Sequence, residues 1–230
     1  MSEPVRLNLL EVCSEKEKAK IKTILNGIPD KYCPVDGGKI NGATYKKVTL
    51  IGRIKPEKGI WFFLDAIALL PQHILESILF IIIGGAAPGG EQFVKKLEDD
   101  IEQHPARKNI KFQAFMPDIT GALNETDILV VPSLMKDPFP TTILEGLSAG
   151  KPVIATNTGG SIQSIKNKIT GFLIEPNDRQ MFAERLKELI ESDALRIKMG
   201  AQAREEFLKS FTFEIFEMNF MNEINQFEQQ

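Results

Sequence analysis

Cysteine and histidine are scarce in this chain of 230 residues: there are two of each, and one tryptophan. Cys13 and Cys33 sit in no CxxC or Cys/His spacing, which excludes a disulfide scaffold and a zinc site and fits a reducing compartment. Both read as small apolar filler. His73 and His104 fall near helix ends beside proline-containing loops, and neither stands next to a serine or cysteine nucleophile, so both read as surface residues. Positive charge is not in excess. Twenty-eight Lys and Arg face 31 Asp and Glu, a net charge of −3. No global basic field exists to hold nucleic acid or an anionic membrane, so any phosphate must be held by a few local cations. Long apolar runs are missing too. The densest, Ile78 to Ile83, stops at Gly84, well short of the ~20 residues a membrane helix needs. Residues 1–10 carry no basic stretch followed by an apolar one, so no signal peptide is expected. Neither GxGxxG nor GxxxxGK[ST] occurs, which removes the nicotinamide and P-loop fingerprints.

What is present is an ordinary globular composition, 43% hydrophobic and 26% charged. Short apolar runs alternate with amphipathic stretches. Lys47–Gly52, Ile78–Ile83, Asn109–Phe115, Asp127–Val131, Pro152–Thr156 and Gly171–Ile174 read as strands. Between them, Gly59–Leu70, Glu91–Gln103, Asp118–Asn124, Thr141–Ala149 and Asn177–Ser192 read as helices, and two more fill 193–208 and 213–227. This alternation predicts an α/β fold, a Rossmann-like parallel sheet with helices on both faces. Ligands in such folds sit beyond the C-terminal strand ends, which singles out the loops after Gly52, Ile83, Val131 and Thr156. The ends differ. Residues 1–45 read as a mixed-charge helical stretch (SEKEKAKIKTIL) followed by a Gly/Pro/Asp linker, Asn26 to Gly42. Residues 46–210 read as the main domain. Residues 211–230 read as a C-terminal helix whose Phe213, Phe216, Phe220, Met221 and Phe227 need a cover.

Three constellations could carry chemistry. In Gly52-Arg53-Ile54-Lys55-Pro56-Glu57-Lys58-Gly59 a strand ends and a helix begins; amides, helix dipole and two cations would together favour a diphosphate. The plain alternative is solvated cations on a loop. In Asp137-Pro138-Phe139-Pro140-Thr141-Thr142-Ile143-Leu144-Glu145, Asp137 stands where an N-cap would, and Glu145 shares a helix face with Thr141. The plain alternative here is a cap and an exposed glutamate. Functionally, the carboxylates would accept hydrogen bonds from sugar and ribose hydroxyls, and the amides of Thr141 and Thr142 would meet phosphate. Thr156-Asn157-Thr158-Gly159-Gly160 is a glycine turn at a strand end, a possible backbone nest. Trp61, Phe62 and Phe63 read as core.

In order, VTLIGRIKPEKG, TDILVVPS, DPFPTTILEGLSAGKPVIATNTGG and ITGFLIEPND resemble the retaining glycosyltransferases of family 4, the glycosyl transferases group 1 family, in the C-terminal, donor-binding half of the GT-B architecture. The resemblance runs from about Asn26 to about residue 225. It implies that Arg53 and Lys58 bind the donor diphosphate and stabilise the departing nucleotide, that Glu145 binds ribose, and that Asp137 addresses the transferred sugar. Gly52, Phe139, Thr141, Thr142, Gly159 and Gly160 complete the implied donor site. Asp137 stands where the family has glutamate, Pro140 where glycine is common, and Ile162-Gln163 where Pro-Glu is usual. The family's acceptor domain should precede Asn26.

The expectation is therefore a UDP- or GDP-sugar-binding domain, for polysaccharide or glycoconjugate synthesis, without metal or cofactor. It would be inactive alone and completed by an acceptor domain or partner chain, with self-association through the apolar ends as a further possibility. A cytoplasmic location is expected, with the full enzyme reaching the inner membrane face. Two rivals stay open. One is a non-catalytic nucleotide-sugar-binding subunit or split-enzyme half. The other is a nucleotide-sugar epimerase, which would need acid/base residues not identifiable here.

Overall fold

In the computed structural model, residues 3–18, 21–32 and 45–228 are described. Two short helices, α1 (Glu3–Val12) and α2 (Glu15–Lys18), precede a strand–helix series. The series runs β1 (Lys46–Ile51), α3 (Ile60–Ala68), α4 (Gln72–Leu75), β2 (Ile78–Ile83), α5 (Glu91–Gln103), β3 (Ile110–Gln113), α6 (Thr120–Glu125), β4 (Ile128–Val131) and α7 (Thr141–Ser148). It continues through β5 (Val153–Thr156), α8 (Ser161–Ser164), β6 (Gly171–Ile174), α9 (Arg179–Glu191), α10 (Asp193–Ser210) and α11 (Phe213–Glu228). The six strands form one sheet in the order β3-β2-β1-β4-β5-β6, and every pairing is parallel. The order reverses between β1 and β4, which opens a crevice at their carboxyl ends.

The strands are apolar on both faces because both are covered. Alternation assigns each residue to a side: Val48, Leu50, Ile128, Val130, Ile154, Phe172 and Ile174 face one core with α3, α4 and α9, while Leu129, Val153 and Ala155 face the other with α7 and the end of α10. Phe62 and Phe63 of α3 meet Phe182 of α9 edge to face, with centroids 5.3 and 6.0 Å apart. On the opposite side α7 lies against the sheet through Gly146, where a Cβ would stand 2.4 Å from Leu129 Cδ2. Helix α9 is capped by Asp178, whose carboxylate accepts from the Met181 amide at 2.9 Å.

Several expectations need correcting. Among the described residues of the mixed-charge stretch, Glu15–Lys18 are helical, and residues 21–27 carry no regular structure. Helices α1 and α4 had no strong periodicity to announce them. His104 is buried, not a surface residue: Ala106 N donates to its Nδ1 at 3.0 Å, so Nε2 carries the proton and donates to Leu64 O at 2.9 Å. His73 is exposed as expected, 3.6 Å from Glu191. Phe62 and Phe63 are core, but Trp61 is only partly buried and donates its Nε1 proton to Asp100 at 2.6 Å. Cys13 is half-buried with a free thiol; Cys33 lies outside the described residues, as does much of the expected linker. Phe213, Phe220 and Met221 of α11 are exposed, and the side chain of Phe227 lies outside the described residues. No described helix is long and apolar enough to cross a membrane.

Candidate donor-binding site

The crevice at the β1/β4 reversal is a cleft of about 730 Å³. Its floor is made by the chain leaving β1 (Gly52, Arg53, Lys58), the glycine loop after β2 (Gly84, Gly85) and the chain leaving β4 (Pro132, Ser133). Asp137, Phe139, Thr141, Thr142 and Glu145 line a further wall, on and before α7. Eight of the ten residues singled out from sequence thus converge on one cavity. The cations follow β1 and the carboxylates lie on the loop after β4 and on α7; they share the cavity because parallel strands put their exit loops on one edge.

Local chemistry fixes the first loop. Gly52 lacks a side chain where a Cβ would meet nothing within 4 Å, which leaves backbone facing the cavity. After it a turn of 3-10 helix, Pro56–Lys58, closes on Gly59 at φ 72°, and a Cβ on Gly59 would stand 1.8 Å from Pro132 O. Only glycine fits there. The two loops are then stitched together: the amide of Leu134 donates to Glu57 O at 2.8 Å, and Ser133 Oγ donates to the same carbonyl at 3.2 Å. This contact seats Lys58 opposite Asp137, Nζ to Oδ2 at 2.6 Å, with side chains 22% and 20% exposed. Arg53 is exposed and, among the described residues, has no hydrogen-bond or ion-pair partner.

Asp137 does not cap α7. Pro140 is the N-cap residue and no side chain closes the helix start. The first amides of α7 therefore have no side-chain cap, and Thr141 and Thr142 line the cleft. Gly159 and Gly160 are not among the lining residues. They pack behind the loop: a Cβ on Gly159 would lie 2.2 Å from Asp137 O, and the Gly160 amide donates to that carbonyl at 2.8 Å. Their closeness holds Asp137 and Phe139 forward.

The wall around Glu145 is completed by residues that sequence patterning did not single out. Tyr32 is buried and its hydroxyl donates to Glu145 Oε1 at 3.4 Å, across 113 residues of chain. Lys31 Nζ lies 4.9 Å from the Tyr32 ring centroid. Burial pushes the Glu145 carboxyl above its usual value, against the pull of the Lys31 ammonium and the Tyr32 hydroxyl. Burial likewise raises Tyr32.

A strap brings these residues in. Ile28 pairs with the α10–α11 junction, its amide donating to Phe211 O and its carbonyl accepting from Phe213 N, both at 3.0 Å. Gly27 lets the chains touch, since a Cβ there would stand 2.2 Å from Thr212 O. Asp30 then accepts a bidentate pair from Arg204 (Nη2 to Oδ2, 2.6 Å) and a proton from Ser148 Oγ at 3.1 Å. Arg204 holds the Asp30 carboxyl below its usual value. Phe115, Met116, Pro117 and Ile119 add an apolar rim after β3. Only the glycine-interrupted loops had a sequence signal; a tyrosine meeting a glutamate across the fold has none. Among the described residues, no three His, Cys, Asp or Glu side chains cluster as metal ligands.

Comparisons with known proteins bear on the family and the fold. A D-inositol 3-phosphate glycosyltransferase of Corynebacterium jeikeium is 31% identical over 161 residues, 69% of this chain and 38% of its own length. The Escherichia coli UDP-Gal:alpha-D-GlcNAc-diphosphoundecaprenol alpha-1,3-galactosyltransferase is 27% identical over 87% of this chain and 54% of its own. The chain therefore spans between about two fifths and about half of these relatives. Anabaena HepE, solved in complex with UDP and glucose, superposes with a TM-score of 0.86 at 22% identity, covering 97% of this chain and 61% of that one; this likeness is one of fold. The C-terminal domain of a Francisella tularensis glycosyl transferase group 1 family protein is 26% identical, TM-score 0.70, over 81% of this chain and 99% of that domain. Residues 39–206, most of the sheet and its helices, match the family described as glycosyl transferases group 1, and the chain belongs to that family.

Proposed function

We propose that this chain is the donor-binding half of a retaining glycosyltransferase of family 4, taking a UDP- or GDP-sugar. One observation carries the reading: Arg53, Lys58 and Glu145 line a single cleft at the strand-order reversal. Arg53, the Gly52 backbone, Lys58 and the open amides of Thr141 and Thr142 receive the diphosphate. As the glycosidic bond breaks, negative charge grows on the departing phosphate, and two cations fixed in place stabilise it without a metal. The same phosphate guides the acceptor to the face it leaves, which retains anomeric configuration. Glu145, with its raised pKa and Tyr32 beside it, accepts the hydroxyls of the ribose. Asp137 and Phe139 meet the transferred sugar, with Gly159 and Gly160 acting from behind by holding Asp137. The UDP and glucose of the HepE complex, and the UDP-Gal in the E. coli relative's name, support a uridine donor.

Transfer needs an acceptor site on the other side of the cleft. The chain spans about half or less of its curated relatives, so we assign the acceptor to a preceding domain or a partner chain. Residues 46–210 form the donor domain, and the exposed apolar face of α11 is covered in the complete enzyme or by a second copy. The product belongs to polysaccharide or glycoconjugate synthesis in the cytoplasm, at the inner membrane face. Isothermal titration of UDP and GDP tests the core of the reading. Arg53→Ala/Lys58→Ala is expected to lose binding by about 100-fold, and equal affinity in the variant and the wild type would remove the diphosphate assignment. Alone, the chain is expected to bind without transferring. A second reading is a nucleotide-sugar-binding subunit without catalysis. Co-purification with a second chain that restores no transfer would select it.

A further inference from the structure

We infer that Asp137 is the resident counter-ion of Lys58, and that it weakens the hold of the cleft on a nucleoside diphosphate. The inference rests on the donor reading above and concerns how tightly the same site keeps its ligand. Lys58 and Asp137 meet at 2.6 Å, each about a fifth exposed, inside a cavity that both line. Neither side chain drifts into this contact. Lys58 follows a loop pinned to Ser133 and Leu134 through Glu57 O. Asp137 is pinned through its own carbonyl by the amide of Gly160 and, through its amide, to Met135 O at 2.8 Å. The carboxylate is thus built into the position that an anion on Lys58 would take. Arg53, on the same loop, faces the cavity with no such partner among the described residues.

An arriving diphosphate meets the two cations differently. Arg53 is available at once. Lys58 must exchange a carboxylate for a phosphate, and the displaced carboxylate stays close by as a like charge. Both effects oppose binding, and both act most strongly on the ligand with the most phosphate charge. A nucleoside diphosphate carries one charge more than the nucleotide sugar it came from. Asp137 therefore selects against the product relative to the donor, and the freed carboxylate has a compensating use only when a sugar hydroxyl is there to donate to it. In this account Asp137 sets the release of nucleotide, in addition to meeting the sugar.

Titration of the full chain with UDP, UDP-glucose and uridine, using wild type, Asp137→Asn and Asp137→Glu, tests this. Asp137→Asn is expected to bind UDP about fivefold to tenfold more tightly, the size of a part-buried ion pair released. UDP-glucose should tighten less, and uridine, which lacks phosphate, should not change. Asp137→Glu restores the charge and should return UDP affinity towards the wild type. A weaker or unchanged affinity of Asp137→Asn for UDP would overturn the inference and make Asp137 only a tether that aims Lys58. An equal gain for uridine would overturn it as well. If Arg53→Ala lowers UDP affinity while Asp137→Asn fails to raise it, the donor reading survives and this inference alone falls. Absence of UDP binding by the wild type, with GDP equally silent, overturns both.

Discussion

At one end of the cleft, Gly52, Arg53 and Lys58 arrive on a single loop whose glycine and proline spacing announces a turn. At the other, Tyr32 and Glu145 lie 113 residues apart in the chain and touch because a strap is clamped to α7, α10 and the α10–α11 junction. The cationic end is rigid by backbone contact, since Gly59 fits where no Cβ could and the two loops meet at the Glu57 carbonyl. The acidic end is anchored by one backbone pairing, Ile28 with the α10–α11 junction, and beyond it by side chains: the Asp30–Arg204 salt bridge and the long Tyr32–Glu145 hydrogen bond. Backbone stitching tolerates no change and gives all-or-none losses. Side-chain clamping can loosen in steps.

That contrast can be broken from either side. The largest effect is expected from Gly59→Val, which forces a β-branched residue to φ 72° with its Cβ 1.8 Å from Pro132 O. Thermal unfolding followed by circular dichroism should show loss of a cooperative transition; a folded variant that still binds UDP would show that the loop contact is dispensable. Next comes Glu145→Ala, expected to weaken UDP by about tenfold while leaving inorganic pyrophosphate unchanged, because only the nucleoside reaches that wall. Parallel losses for both ligands in competition titrations would mean that the two ends are not separate. Asp30→Ala should be milder, about threefold in UDP affinity, accompanied by faster amide exchange over residues 26–32 alone; faster exchange across α7 as well would mean the strap supports the helix, not the wall.

The smallest effect concerns pH. Glu145 has a folded-state pKa above its unfolded value, so the folded chain binds the extra proton, and stability falls as pH rises through that raised value. Glu145→Gln should therefore melt about 1–3 °C higher than wild type near pH 7. The gap should close as pH falls towards the ordinary glutamate range. Asp30 has the opposite sign. Its depressed pKa gives stability that is present at neutral pH and lost as acid protonates it, so the strap should loosen in acid before the sheet melts.

The strands were legible in the sequence because burial on both faces leaves near-continuous apolar runs, and Ile78–Ile83 is read to the residue. Helix α5 is read equally well, since Phe93, Leu97 and Ile101 repeat on one face. The cationic loop was legible because its chemistry is local. Asp137 was half legible. Its place beside the site is as expected, but the capping role is not, since α7 begins three residues too late for it, with Pro140 at the N-cap. Tyr32 was illegible: no periodicity marks residues 21–32, and the partner that gives its hydroxyl meaning is set by tertiary folding. His104 was misread for a related reason. Its ring is satisfied by two backbone groups that sequence cannot place.

The strap has one further consequence. Tyr32 and Lys31 belong to the stretch before β1, so an excised domain begun at Lys46 would retain the sheet, the arginine and the lysine yet arrive with an open flank. Such a fragment keeps Glu145 without its Tyr32 partner, and is expected to accept pyrophosphate as the full chain does and to bind UDP more weakly. Part of the wall around Glu145 is thus stored upstream of the first strand, in residues 21–32, which form no helix or strand of the sheet.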